Sequence, residues 1–413
     1  MTQTSIDGAR LWSDLMTLGA IGALPRGGSD RLALTDADRD GRTLFAHWCA
    51  EAGLALTIDA MGNMFARREG LEPGLPPVML GSHLDTQSPG GKFDGPLGVL
   101  AGLEVMRSLD RAGIRTRRPI EVVNWTNEEG ARFSPGLMGS AVFAGALKLE
   151  DAYASVDRAG KRFGEELQRI RYAGPTPVGD RPVDTYFELH IEQGPLLEEA
   201  GITIGTVTHS HYSAFADMEC LGENAHIQSM PMLRRRNALV GAARLIAEID
   251  RIGCAHAPAG SASAVVIDAW PNNRINIPHR AAFSYGVIHP DATGLEAMTA
   301  EIDTAVAKIA AETGLTFNTI VSRRRDPVHF TESLVALTET IADDLDLSHM
   351  RMRTRPGHDA FNMLRLCPVE LIFVPCRDGL SHSELEWCTP EHAVAGCAVL
   401  YEAALRRADR AGD

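Results

Sequence analysis

The chain has 413 residues, 45% of them hydrophobic and 23% charged, and a formal net charge of −14. That length exceeds what one ordinary core accommodates, so two domains are expected. The acidic balance disfavours nucleic acid and anionic membranes as partners, and no segment reaches the ~18 uninterrupted apolar residues of a membrane span.

The opening stretch, MTQTSIDGARLW, has no basic region followed by an apolar core, so no signal peptide is expected. Residues 7–24 carry Leu11, Leu15, Leu18 and Ile21 at helical spacing, closed by Pro25. Thr35 with Asp36 and Asp38 marks a helix start, and Gly53 its stop. Residues 54–58 and 63–67 predict a strand pair around Met61-Gly62. Residues 78–80 predict a buried strand, and 99–109 an apolar helix opened by Gly95-Pro96-Leu97-Gly98. A second buried strand is expected at 119–125, a helix at 137–149 and a polar helix at 151–171. A third strand at 186–190, a short helix at 196–200 and a strand at 203–207 follow.

From about residue 212 the texture changes. Residues 213–221 alternate like a half-exposed strand, and 231–250 predict a long helix beginning with Arg234-Arg235-Arg236. Strands are expected at 264–270, 274–277, 281–288 and 316–323, with an amphipathic helix at 293–312. This reads as a compact α+β domain, 212–328, inserted into an α/β domain made of 1–211 and 329–413. The returning segment predicts a helix at 331–345, a turn into a helix at 355–360, a strand at 369–374 and a closing helix at 390–407. The seven cysteines are odd in number and form no Cys-x-x-Cys. A reducing compartment is expected, with cytoplasm as the default location.

Chemistry collects at the strand ends. Ser82, His83 and Asp85 close the first buried strand, and a Gly/Pro-rich loop then delivers Asp94. His83 and Asp85 are two apart, which in extended chain points both the same way. The carboxyl ends of strands are where open α/β sheets bind ligands, and imidazole with carboxylate is a ligand set for Zn²⁺ and its neighbours. Glu128 and Glu129 follow the second strand. They are either a solvated loop or a metal ligand beside a base. His190 ends the third strand, and His382 follows the strand at 369–374.

The stretches GSHLDTQSPGGKFDGPLGVLAGLE, NWTNEEGARF, ELHIEQGPLLE, GENAH with PMLRRRNAL, GHDAFNM and IFVPCRDGLSHSELE resemble the M20 family of dinuclear metal amidohydrolases. Within it they are similar to the branch of N-carbamoyl-L-amino-acid hydrolases, allantoate amidohydrolases and β-ureidopropionases. The likeness covers nearly the whole chain. It implies a mixed sheet flanked by helices carrying the metals, with the inserted domain serving as lid and dimerisation domain of a homodimer. It implies that His83, Asp94 and His190 bind one divalent ion and Asp94, Glu129 and His382 the other, with Asp94 bridging. Zn²⁺ is the first choice, and Mn²⁺, Co²⁺ and Ni²⁺ suit the same ligands. Asp85 would orient His83. Glu128 would be general base and then acid in attack by a metal-bound hydroxide. His226 would reach across the dimer interface to stabilise the oxyanion. Gln193, Asn276 and His358 would contact substrate.

Three departures bear on specificity. Ile288 stands where that branch holds an arginine that grips the substrate's α-carboxylate, so a charge-assisted pair is lost. Arg355, beside Gly357-His358, is the candidate replacement. His226-Ile227-Gln228-Ser229-Met230 is bulkier than the branch's pattern, and His211-Tyr212-Ser213 stands where a Gln/Arg-Trp pair is common. The expected activity is hydrolysis of a linear C–N bond in an amide or ureido compound, with a substrate atypical for the branch. An aminoacylase or dipeptidase-like enzyme is the alternative. A non-catalytic relative is disfavoured, because every ligand and Glu128 are present.

Overall fold

The computed structural model describes residues 6–179 and 181–409. The first five residues of the stretch tested for a signal peptide lie outside them. The chain divides into two compact units, Met1–Thr208 with Phe330–Asp413, and His209–His329.

The first unit opens with helices α1 (Gly8–Gly19) and α2 (Asp36–Glu51). Thr35 caps α2, its hydroxyl accepting from the Asp38 amide. Strands β1 (Ala55–Ile58) and β2 (Met64–Arg68) pair antiparallel. Then come β3 (Val78–His83), α3 (Pro96–Arg111) and β4 (Ile120–Trp125). Three short helices follow, α4 (Met138–Phe143), α5 (Leu149–Ala154) and α6 (Phe163–Arg169). They replace the two longer helices expected at 137–149 and 151–171. Gly145 at φ 69° ends the first, and a turn splits the second, where the Asp157 carboxylate accepts from the Ala159 and Lys161 amides. Strand β5 (Thr185–Ile191), helix α7 (Leu196–Ala200) and strand β6 (Ile204–Ser210) complete this part.

The second unit contains β7 (Tyr212–Leu221), β8 (Ala225–His226), α8 (Ala238–Ala255), β9 (Ser261–Trp270), β10 (Asn276–Ile277), β11 (Arg280–His289), α9 (Ala292–Thr313) and β12 (Thr316–Arg325). Helix α8 begins seven residues later than the expected 231, because Asn237 supplies the cap through its side-chain oxygen. Arg234 belongs to a separate 3-10 turn, Met232–Arg234. Strands β12-β7-β11-β9 form an antiparallel sheet. Met218, Cys220, Phe283 and Val287 pack on Leu245, Ile249, Met298 and Ile302 of the helices. Strands β8 and β10 form a separate ribbon.

Back in the first unit, α10 (Glu332–Asp344), β13 (His349–Thr354), α11 (Ala360–Met363), β14 (Val369–Val374) and α12 (Pro390–Asp409) finish the chain. Strand β13 was not expected. Its charged alternation, HMRMRT, suits a sheet edge rather than a core. The main sheet runs β1-β2-β4-β3-β5-β14-β6-β13. Its four central strands, β4, β3, β5 and β14, are mutually parallel and buried along their whole length, as strands covered on both faces must be. All four therefore end at the same edge. Among the described residues no helix is long and apolar enough to cross a membrane.

Candidate active site

The carboxyl ends of those four strands gather the candidate ligands. His83 is the last residue of β3, Glu128 and Glu129 follow β4, His190 lies on β5, and His382 follows β14. Asp94 comes from the loop between β3 and α3. Gly95 behind it has φ 84°, and a Cβ there would lie 2.4 Å from the His83 ring. Only glycine tolerates both.

Two groups of three share Asp94: His83, Asp94 and His190, and Asp94, Glu129 and His382. Asp94 Oδ1 lies 3.1 Å from His190 Nε2 and 3.7 Å from His83 Nε2. Asp94 Oδ2 and Glu129 Oε2 each lie 3.2 Å from His382 Nε2. Ligand atoms held about 2.1 Å from a tetrahedral ion stand about 3.4 Å apart, so both groups have the spacing of a metal's ligands. The imidazoles are aimed by their other nitrogens. His83 Nδ1 donates to the Asp85 carbonyl at 2.9 Å and His190 Nδ1 to the Ile191 carbonyl at 2.8 Å, assigning the lone pair to Nε2 in each ring. His83 Nε2 is buried with no hydrogen-bond partner among the described residues, which is the state of a ligand atom reserved for a cation.

Electrostatics agrees. Burial opposes charge on His83, yet Glu128, Asp94, Asp85 and Glu129 outweigh it and push the imidazole well above its usual range. Burial likewise opposes charge on Asp94, and the His190, His382 and His83 imidazoles around it hold its carboxyl well below the ordinary value. A buried pocket that draws protons onto imidazole is one where a dication relieves the excess negative charge.

Glu128 and Glu129 separate cleanly. Glu129 accepts from the Gln87 amide at 3.1 Å and its side chain at 2.8 Å, which turns its carboxylate toward His382. Glu128 belongs to neither group of three. Its Oε2 lies 3.4 Å from His83 Nε2, and burial pushes its carboxyl well above the ordinary range. Asp85 acts differently from the expected contact of carboxylate with ring. Its main-chain carbonyl takes the His83 hydrogen bond, and its Oδ1 stands 3.9 Å from Nδ1. The strand ends at His83, so the two side chains do not share one extended face. The Asp85 carboxylate accepts instead from the Glu128 and Glu129 amides, at 3.3 and 3.2 Å.

The site is held from behind by buried charges that sequence reasoning did not single out. Arg31 donates to the Leu84 carbonyl at 2.8 Å, and burial lowers its guanidinium to about 10. Arg42 pairs with Asp38 and reaches the Thr126 hydroxyl at 3.3 Å, with both side chains of the pair fully buried. Asn127, Gln193 and His382 have φ of 57°, 59° and 51°, left-handed backbone of the kind that concentrates in functional loops.

Of the substrate candidates, Gln193 donates to Asp94 Oδ2 at 2.7 Å, and its Oε1 is buried without a partner among the described residues. His358 is buried, its ring 4.6 Å from that of His190. A third group, Glu188, His190 and His358, also has ligand spacing. Glu188 is already occupied by Ser82, Tyr186 and the Ala360 amide, so the Asp94 groups are the better cation sites. Arg355 is exposed in the turn after β13, and its charge bears on the buried Glu192.

In the second unit, His226 and Asn276 face each other as a register pair of the β8–β10 ribbon, both exposed. His226 Nδ1 accepts from the Gln228 and Ser229 amides, at 3.2 and 3.4 Å. Its proton is thereby assigned to Nε2, making it a neutral donor. Ile288 is half-buried on β11, between Ser213 and Ser261.

The sequence profile of peptidase family M20/M25/M40 matches residues 79–406. The chain belongs to that family. It is 43% identical over 404 residues to an N-carbamoyl-L-amino-acid amidohydrolase of Rhizobium meliloti, covering 98% of this chain and 97% of the relative. It is 30% identical to a ureidoglycolate hydrolase of Arabidopsis thaliana, over 96% of this chain and 86% of that one. A solved hydantoinase/carbamoylase-family amidase from Burkholderia vietnamiensis superposes with a TM-score of 0.94 at 45% identity, covering 99% of each chain. M20 membership with these relatives makes the chain an amidohydrolase, and the two Asp94 groups have the spacing that metal ligands require.

Proposed function

We propose that this M20 amidohydrolase cleaves the linear C–N bond of an N-carbamoyl amino acid or a related ureido compound, using two divalent cations bridged by Asp94. The observation that carries this reading is Asp94 shared between two ligand groups, with Glu128 beside His83 and part of neither group. His83, Asp94 and His190 would hold one ion, and Asp94, Glu129 and His382 the other. Zn²⁺ suits these donors best, with Mn²⁺, Co²⁺ or Ni²⁺ as substitutes. When bound, such ions lower the pKa of a water and polarise the scissile carbonyl. Glu128 takes the attacking water's proton and delivers it to the leaving nitrogen, a role suited to a carboxyl raised by burial. His226 donates its Nε2 hydrogen to the developing oxyanion. Gln193, Asn276 and His358 hold the substrate. A carbamate product then falls apart to carbon dioxide and ammonia.

Ile288 removes a guanidinium, and Arg355 is proposed to take the substrate carboxylate in its place. Homodimerisation through the second unit is supported by exposed apolar side chains there, including Met232 at 71%, Leu233 at 102% and Val265 at 75%. Seven free thiols fit a cytoplasmic enzyme.

The test is a turnover panel on metal-reconstituted protein, with ammonia and free amine detected separately. N-carbamoyl-α-amino acids, allantoate and ureidopropionate are set against uncharged ureas and acyl amides. Release of ammonia and amine together from N-carbamoyl amino acids is expected, with R355A raising their KM and sparing neutral ureas. Amine release from acyl amides alone would replace this reading with an aminoacylase.

A further inference from the structure

Glu386 is 2% exposed and belongs to the loop that carries His382, from which it reaches the loop of Asp94. Its Oε1 accepts from the amides of Phe93 and Asp94 itself, at 2.9 and 3.0 Å. Its Oε2 meets the Ser381 hydroxyl at 3.1 Å, and Ser381 is the residue before His382. Ser381 Oγ in turn lies 2.7 Å from Asp94 Oδ2. One carboxylate thus ties the backbone of the shared ligand to the loop of a ligand from the far end of the chain. The chain leaves room for it in an exacting way. A Cβ on Gly91 would stand 1.9 Å from the Glu386 carboxyl carbon, so a side chain at position 91 would displace the carboxylate. The neighbouring rings close the same seam, Phe93 against Trp387 with centroids 5.5 Å apart.

We propose that Glu386 is a positioning residue for both cation sites, fixing Asp94 between them by hydrogen bonding rather than by charge. The inference rests on the reading that Asp94 bridges two ions. Because Asp94 belongs to both groups, a shift of its backbone loosens both. Glutamine keeps every link, since its Oε1 accepts from the two amides and its Nε2 donates to Ser381. Alanine removes all three. Loss of a residue that supports a ligand costs about 10- to 100-fold in metal affinity.

The experiment compares the full chain carrying E386A, E386Q, S381A or D94A with the wild type. Zn²⁺ affinity is measured by competition with a chromophoric chelator, and ligand geometry by the visible absorption of the Co²⁺-loaded protein. Circular dichroism melting checks the fold. E386A is expected to weaken binding of both ions about 10- to 100-fold and to alter the Co²⁺ bands, with E386Q restoring both. Wild-type affinity and spectrum in E386A would overturn the proposal, as would E386Q falling as far as E386A. If E386A does not fold, S381A decides, because it deletes the hydroxyl that joins Glu386 to Asp94 and leaves the Phe93 and Asp94 amides on Glu386. Weaker ion binding in S381A supports the tether, and unchanged binding of both ions overturns it. D94A separates the two levels. Two ions retained in D94A remove the underlying bridge, whereas ions lost from D94A but kept in E386A remove only the role of Glu386.

Discussion

Asp94 in the first unit is 3% exposed and receives hydrogen bonds from Gln193 and Ser381, with three imidazoles around it. His226 in the second unit is exposed on a two-stranded ribbon, where the local Gln228 and Ser229 amides set its tautomer. The first arrangement is preorganised, because buried strands and buried charges fix every donor before a ligand arrives. The second supplies a donor of defined protonation on a surface, and its partners must come from outside its own unit's core. Removing a residue from the first set should therefore disturb metal binding or chemistry at a fixed geometry. Removing one from the second should cost turnover and leave the metal centre untouched.

Four variants can break or sharpen that contrast. E128Q should lower kcat by about 10²- to 10⁴-fold, as expected for loss of a general base, while metal content stays at the wild-type level. Loss of an ion in E128Q would instead make Glu128 a ligand. H226A should lower kcat by about 10²- to 10³-fold, the usual cost of losing one oxyanion donor, again with metal content unchanged. An H226A enzyme that binds metal poorly would erase the distinction between the units. D85A should weaken metal affinity by about 10- to 100-fold, because Asp85 holds the Glu128–Glu129 peptides in place. Chelator competition reads this, and wild-type affinity would show that the loop holds itself. Smallest is the double variant M232S/L233S, which should shift a dimer toward monomer in sedimentation velocity with metal affinity unaltered. An unchanged sedimentation coefficient would move the interface elsewhere.

Much of the site was legible because its residues sit in short motifs at the ends of apolar runs. Residues 78–80, 119–125, 186–190 and 369–374 announced strands through their apolar residues, and the chemistry followed each one. Other features lay beyond a linear reading. Strand β13 hid because alternating charge at a sheet edge carries no apolar signal. The helix expected over 151–171 split because one carboxylate, Asp157, organised a turn that composition does not reveal. Asp85 was expected to orient His83, and the atom that meets the ring is its carbonyl, which every residue possesses. Glu386 reaches the Asp94 amide from 292 residues away, and only the folded sheet brings those loops together. Arg31 and Arg42 carry no motif in the sequence, and only the fold buries them.

The central claim, two cations sharing one carboxylate, is tested most directly by the metal content of the wild type and of D94A. Both proteins are equilibrated with Zn²⁺, freed of loose metal and assayed by inductively coupled plasma mass spectrometry. The account predicts two ions per chain in the wild type and loss of both in folded D94A. A single ion in the wild type, or two retained in D94A, would contradict it.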